Sequence, residues 1–489
     1  MAFPIYLLAL SVSSAGVPVA ISIITAEKVA LKDILGAKRI FRISLALMAV
    51  TGMILSLATY FGADFLIEYR FIRDPRAYYS VAALAPAIFF VTILASSRGY
   101  LQGWQRMTPT AVSQIVEQIF RVITMILFAN LFLPQGLEFA AAGASLGACA
   151  GAVAGVIVLV FYHWQLEKDI EREYSDHIVA TKPEPSMKII KRIFALALPV
   201  SASSIMLPVV AILDLMIVPA RLEVAGYSVS QATELFGYLT GMAVPLVNLA
   251  TVLTASLAVS IVPAISEAKA LGDKVRSFQQ TAAAMRIANL ISFPAFMIVF
   301  MLDTPISALI YNATAAGPAV RVLSTSIVLL GIHQVTTGVL QGLGHTSVPV
   351  INMIIAAVVK VVLNWILTAE PELGILGSAW ATVADFGIGA VLNVYFLHKY
   401  IGYKLEVKQV VKTIVATGLM GVTLHLAYQY IMDYMPINSV ATLGSIIIGC
   451  IVYIVVLMML GGISERDVER VPMLGSIAIK LLHRVGVFK

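Results

Sequence analysis

Charge is what this 489-residue sequence has least of: only 12% of its residues are Asp, Glu, Lys or Arg, about half of the roughly 25% with which a soluble domain coats itself. Cysteine is nearly absent. Cys149 and Cys450 both lie inside apolar runs, which excludes a disulfide framework and a Cys/His metal site and leaves them as small packing residues. There is no Gly-Lys-Ser/Thr phosphate loop, no metal-ligand spacing and no nucleophile with a base in one loop, so the sequence argues against an enzyme and implies no cofactor. With 60% hydrophobic residues and a net charge of only +6, the chain is solvated mainly by lipid, and its positive charge is not a nucleic-acid footprint.

What is present is a succession of apolar stretches long enough to cross a bilayer. They fall near 2–25, 40–62, 80–101, 110–133 and 139–164, then 193–217, 235–262, 283–303, 321–341, 347–368, 373–397, 410–430 and 438–461. The runs are continuous and do not alternate, which excludes a transmembrane barrel. The fold class expected is all-α, a polytopic membrane protein of about 13 transmembrane helices. The first run has neither a basic preceding segment nor a cleavage site and is not a signal peptide.

Lysine and arginine divide unevenly between the two sets of loops. Of the 33, 26 fall in one set and five in the other, while Arg121 and Lys360 lie inside spans. Basic loops stay cytoplasmic, so the tail ending at Lys489 is expected inside and Met1 outside.

An internal repeat organises these spans. Arg98-Gly99-Tyr100-Leu101-Gln102-Gly103 recurs as Thr337-Gly338-Val339-Leu340-Gln341-Gly342, a shift of 239. Glu27 with Ala30 recurs as Glu267 with Ala270, and Ala2-Phe3-Pro4 as Ala243-Val244-Pro245, at shifts of 240 and 241. So constant a shift marks one duplication. In the second copy the span 193–217 precedes the matching region, and the first copy has no such helix. The parent plan is therefore six helices plus six and two more, with the first absent. An even number per copy keeps both copies in the same orientation, giving two parallel-repeat lobes of the kind that enclose a transport cavity. The expected segments are an N-terminal lobe at 1–164, a flexible cytoplasmic linker at 165–192, a C-terminal lobe at 193–398, two additional helices at 399–461 and a cytoplasmic tail at 462–489. The tail, with Glu465, Arg466, Asp467, Glu469 and Arg470, has the pattern of an interfacial amphipathic helix.

Met1-Ala-Phe-Pro-Ile-Tyr6, the Gly16-Val-Pro-Val-Ala20 turn, the Arg98-Gly-Tyr-Leu-Gln-Gly103 element and the two-lobe plan resemble the multidrug/oligosaccharidyl-lipid/polysaccharide exporter superfamily, in its stage V sporulation protein B and lipid II flippase branch. The resemblance covers essentially the whole chain. It implies a bacterial plasma-membrane flippase that moves an undecaprenyl-diphosphate-linked cell-wall precursor by alternating access. It also implies a lipid-linked glycan and membrane lipids as partners, alongside cell-wall synthesis proteins. Members usually carry a helix ahead of the Ala2-Phe3-Pro4 segment with arginines that line the cavity. Two other functions compete: a cation-coupled multidrug antiporter of the same superfamily, and a non-transporting membrane scaffold for polysaccharide synthesis.

Such a cargo needs cations for its diphosphate, and a charge placed mid-membrane is costly enough to suggest function. Arg121 and Lys360 are the leading candidates, because their separation of 239 puts them at equivalent repeat positions where they could flank one diphosphate. Glu117, four residues before Arg121, offers a purely structural pairing on the same helix face; Lys360 has no acid at that spacing. Arg98 stands either to meet an incoming diphosphate or to snorkel at the interface. Asp385 and Asp214 are candidate ion-coupling carboxylates, with Na+, H+ or the membrane potential as the coupling source. His333, Gln334, Asn248, Asn289, Asn352 and Asn364 are expected mostly to hydrogen-bond between helices. Gly143, Gly147, Gly151 and Gly155 form a stripe for close packing. Gln102-Gly103 and Gln341-Gly342 are expected to make tight turns through positive φ at glycine.

Overall fold

The computed structural model describes residues 16–68, 77–174 and 184–462. Among them there is no strand. In chain order the helices that matter here are α1 (Val17–Ala30), α2 (Ile34–Glu68), α3 (Ala77–Gly103), α4 (Thr108–Phe132), α5 (Leu137–Tyr174), α6 (Ser186–Val224), α7 (Val229–Gly237), α8 (Val244–Ala250), α9 (Val252–Ala270) and α10 (Lys274–Met301). They are followed by α11 (Asp303–Tyr311), α12 (Gly317–Ser324), α13 (Ser326–Gly342), α14 (Ser347–Leu367), α15 (Ile375–Ile401), α16 (Val407–Tyr434) and α17 (Asn438–Met459). Among the described residues, eleven helices are long and apolar enough to cross a membrane, or up to 12 if the pair around Thr325, bent by 46°, is one span. The chain is thus a multi-pass integral membrane protein.

Three readings of the sequence need correction. The run 235–262 is not one helix. A π-helical turn at Tyr238–Ala243 and a kink at Thr251 (φ −101°, ψ 5°) divide it into α7, α8 and α9. Hydropathy sees only an unbroken apolar stretch, whereas the backbone pattern also answers to Gly237, Gly241 and Pro245, which weaken or interrupt the regular ladder. The linker is shorter than 165–192, because α5 continues to Tyr174 and α6 starts at Ser186; both ends of that stretch are charged helix. The third concerns the glycines of the repeated element. Positive φ falls two residues later, at Gln105 (57°) and Gly344 (77°). Gly103 and Gly342 remain inside helices, where a Cβ would meet Thr25 at 2.5 Å and the Val262 carbonyl at 2.6 Å. Their role is close helix approach. The expected tail helix and the Ala2-Phe3-Pro4 match lie outside the described residues.

The duplication reappears bond for bond at the helix ends. After α1, Lys32 N–H donates to Val29 O (3.0 Å) and Asp33 N–H to Lys28 O (2.9 Å); after α9, Gly272 N–H donates to Lys269 O (3.0 Å) and Asp273 N–H to Ala268 O (3.0 Å). This double closure is a Schellman cap, with its left-handed residue at Lys32 (φ 57°) and Gly272 (φ 68°). Each following aspartate then caps the next helix: Asp33 accepts from Gly36 N–H at 2.9 Å and Asp273 from Arg276 N–H at 2.8 Å. After α3 and α13 the same closure recurs, Gln105 N–H to Gln102 O and Gly344 N–H to Gln341 O, both 2.8 Å.

By contacts the chain gathers into two compact units. The first takes residues 16–209, 259–277 and 338–351, and the second 210–258, 278–337 and 352–462. In the first, Ile24 and Ile40 of α1 and α2 pack with Ile189 and Ile193 of α6, and Leu94, Tyr100 and Leu159 form a second core. All four repeated turns belong to this unit, with Ser266 Oγ donating to Ile23 O at 2.9 Å. In the second, Val218, Leu222, Leu302, Val320, Met420 and Leu457 are buried together.

Candidate functional site: two ionic clusters within the membrane

The first cluster is built where α5 lies against α4. A Cβ on Gly143, Gly147 or Gly151 would come within 2.6–2.8 Å of the carbonyls of Phe128, Arg121 and Glu117 respectively. The glycine stripe therefore lets α5 ride directly on the backbone of α4 at the turns that carry the charges. On α4, Glu117 is 6% exposed. Its Oε1 accepts from Arg121 at 2.6 Å and its Oε2 from Arg98 of α3 at 2.9 Å, while Arg98 Nε donates to Ser113 Oγ at 3.0 Å. One carboxylate thus serves two guanidiniums, and the cluster keeps a net charge of +1. Arg121 Nε is buried without an acceptor.

The second cluster joins α6, α14 and α15 in the second unit. Lys360 Nζ donates to Asp214 Oδ2 at 2.8 Å and Asn364 Nδ2 to Asp214 Oδ1 at 2.7 Å. Lys360 is 6% exposed and Asn364 fully buried. Lys360 therefore has an acid partner after all, 146 residues away in the chain, where no helix-face spacing could reveal it. Asp385 of α15 feels the charges of both Lys360 and Asp214, and no hydrogen bond or ion pair holds its carboxylate among the described residues. The three ionisable groups sum to −1 when all are charged.

The candidate residues thus assemble as Arg98, Glu117 and Arg121 in one unit and Asp214, Lys360 and Asp385 in the other. Each cation is bound to a carboxylate of its own unit. Ser113 was missed by sequence reasoning, as were Asn393 and Thr336, which join the expected interhelical bond of Asn352 in the second copy. The shift of 239 carries Arg98 to Thr337 and Ser113 to Asn352. There Asn352 Nδ2 donates to Asn393 Oδ1 (2.8 Å), and Asn393 Nδ2 lies 3.0 Å from Thr337 Oγ1 and 3.2 Å from Thr336 Oγ1. Applying the repeat shift to Asn352 would have found Ser113, whereas Asn393 answers to Ala154 and has no polar counterpart. Of the other polar candidates, Gln334 accepts from Thr254 at 2.6 Å. Asn248 is exposed and makes no interhelical hydrogen bond among the described residues.

Comparison with known proteins agrees with this architecture. The family described as polysaccharide biosynthesis protein matches residues 1–269, and the MatE family matches 222–366. Stage V sporulation protein B of Bacillus subtilis is 28% identical over 485 residues, 98% of this chain and 92% of the relative. Lipid II flippase MurJ of the same organism is 25% identical over 446 residues, 88% of this chain and 81% of its own. A solved multidrug-resistance MATE family transporter of the MOP superfamily superimposes with a TM-score of 0.67 at 20% identity, over 82% of this chain and 86% of that one.

Proposed function

The chain belongs to the polysaccharide biosynthesis protein family and is a transporter of the MOP superfamily, and from that premise we propose that its cargo is an undecaprenyl-diphosphate-linked cell-wall glycan, lipid II or a relative, moved across the bacterial plasma membrane. One observation carries this reading: the family match spans the whole first copy, and that copy holds, within its candidate membrane spans, a cluster with one positive charge in excess. A guanidinium is suited to phosphate because it offers paired donors in a fixed plane. Arg121 has an unused, buried Nε–H, so an anion can be recruited without dismantling its bond to Glu117. Lys360 would offer its ammonium only by exchanging Asp214 for the cargo. The basic loop face is cytoplasmic in this reading, with the C-terminus inside.

The negative cluster suits a different task. Lys360 pairs with Asp214 and leaves Asp385 without a cation of its own, so uptake of H+ or Na+ by a carboxylate would relieve the excess charge and couple transport to an ion gradient. The MatE match over 222–366, which takes in Lys360 of this cluster, favours, as a second reading, a cation-coupled multidrug antiporter. Proteoliposomes separate the two. The flippase reading expects translocation of a fluorescent undecaprenyl-diphosphate-linked sugar, reduced by Arg121→Gln, together with complementation of a strain depleted of its lipid II flippase. Ion-driven movement of a cationic dye with no movement of the lipid-linked sugar would overturn it.

A further inference from the structure

Beside the α1–α2 and α3–α4 turns of the first unit lies a cavity of about 460 Å3, lined by Lys32, Gln105 and Arg106 together with Asp169 of α5, Glu267 of α9 and Arg276 of α10 among others. Three cations and two carboxylates give it one positive charge in excess. Arg106 pairs with Asp169 at 2.8 Å and Arg276 with Glu267 at 2.8 Å. Lys32, held exposed by its left-handed turn, has no partner among the described residues. Glu267 also accepts from Gln105. That bond joins the α3–α4 turn of the first copy to α9 of the second, and with the Ser266 to Ile23 bond it ties the two copies together on the basic face.

The pairs in this cavity are built to exchange. Side-chain exposure is 37% and 38% for Arg106 and Asp169, and 40% and 22% for Arg276 and Glu267. Ion pairs this wet are weakly held, whereas a phosphate group can take two guanidiniums at once through charge-assisted bonds. The cavity also exceeds the volume of a diphosphate several-fold, so the ligand need not displace the surrounding helices to enter.

We infer that this cavity is a binding site for a phosphate-bearing group, and that its occupation unfastens the two copies at the basic face. The incoming anion draws Arg106 from Asp169 and Arg276 from Glu267. Glu267 then loses the cation that fixes its carboxylate beside Gln105, and the tie between the α3–α4 turn and α9 is released. The site lies apart from the membrane clusters and selects for phosphate before the cargo reaches them. Its meaning as a cargo vestibule rests on the proposed diphosphate cargo; its affinity for phosphate does not.

The test uses the full chain in nanodiscs, with Cys149 and Cys450 replaced by serine and spin labels at Leu31→Cys and Leu271→Cys. These are equivalent, half-exposed positions of the two copies. Inorganic pyrophosphate is the probe and the inter-label distance the readout. Pyrophosphate should lengthen that distance, and Glu267→Gln should lengthen it without ligand. Arg276→Gln and Arg106→Gln should each raise the half-saturating pyrophosphate concentration by about tenfold or more, the loss expected for one charge-assisted contact. An unchanged distance at saturating pyrophosphate, or equal half-saturation in the parent and both arginine variants, overturns the site. Undecaprenyl diphosphate in the nanodisc distinguishes the sources: competition identifies a lipid-borne phosphate, and its absence alongside a pyrophosphate response identifies a soluble one. Because the probe has no sugar and no polyprenyl chain, a distance response with failed flipping in proteoliposomes removes the cargo reading and keeps the site. Flipping without a distance response does the reverse.

Discussion

Equivalent positions of the two repeat copies solve the same electrostatic problem in different ways. Arg121 and Lys360 are 239 residues apart, and both are cations inside spans. In the first copy the neutralising acid is four residues away on the same helix and is shared with Arg98. In the second it arrives on α6, from outside the matching stretches, and is steadied by Asn364. The positions of Arg98 and Ser113 become Thr337 and Asn352, so charge gives way to a neutral buried network. Packing changes with it. The four glycines that let α5 close on α4 correspond to Thr382, Phe386, Ala390 and Val394, and the second copy has no such stripe. The duplicated scaffold kept its helix ends while the interiors diverged into a cationic and an anionic cluster.

The largest test of this contrast removes the acids. Glu117→Gln leaves two guanidiniums without a carboxylate and should cost about 3–5 kcal/mol, the range for breaking a buried pair. Asp214→Asn frees one lysine that still has Asp385 within electrostatic range, and should cost less. Thermal unfolding in detergent measures both, and equal losses would contradict the shared-carboxylate arrangement. Double variants sharpen the point: Asp214→Asn with Lys360→Gln should recover most of the lost stability. Glu117→Gln with Arg121→Gln should not, since Arg98 remains unpaired.

A smaller effect is expected from the glycine stripe. Gly151→Ala places a methyl 2.6 Å from the Glu117 carbonyl, which can move only with its helix, and should cost about 1–3 kcal/mol as overpacking. Gly418→Ala in α16 has nothing within 4 Å of the new methyl and should be neutral or gain slightly from helix propensity. If both behave alike, the close approach of α5 to α4 is wrong.

The smallest effect concerns the conserved geometry of the caps. Lys32 and Gly272 occupy the same left-handed position, one with a side chain and one without. Lys32→Gly should relieve strain and stabilise by about 0.5–1 kcal/mol, and Gly272→Lys should destabilise by a similar amount. Opposite signs in chemical denaturation would support the equivalence of the turns, and matching signs would break it.

Much of this was readable along the chain because it depends on local or periodic properties. Continuous apolar runs specify spanning helices, since backbone groups in lipid must bond within the segment. A constant shift of 239–241 specifies a duplicated fold, and the two sets of turns repeat their hydrogen bonds accordingly. The Arg121–Glu117 pair follows from a spacing of four on one helix. The identity of Lys360's partner is of another kind. Asp214 reaches it only after α6 and α14 are packed together, and nothing in the neighbourhood of Lys360 encodes that meeting. The sharing of Glu117 with Arg98, the use of Gly103 and Gly342 for helix contact in place of turning, and the polar cavity beside the α1–α2 and α3–α4 turns likewise arise from elements distant in sequence. Which residues must lie in the membrane is written along the chain, because burial of apolar side chains and backbone satisfaction are set segment by segment. Which charges meet is a matter of packing, because a charge in a low-dielectric interior is neutralised by whichever partner the folded helices bring within a few ångströms.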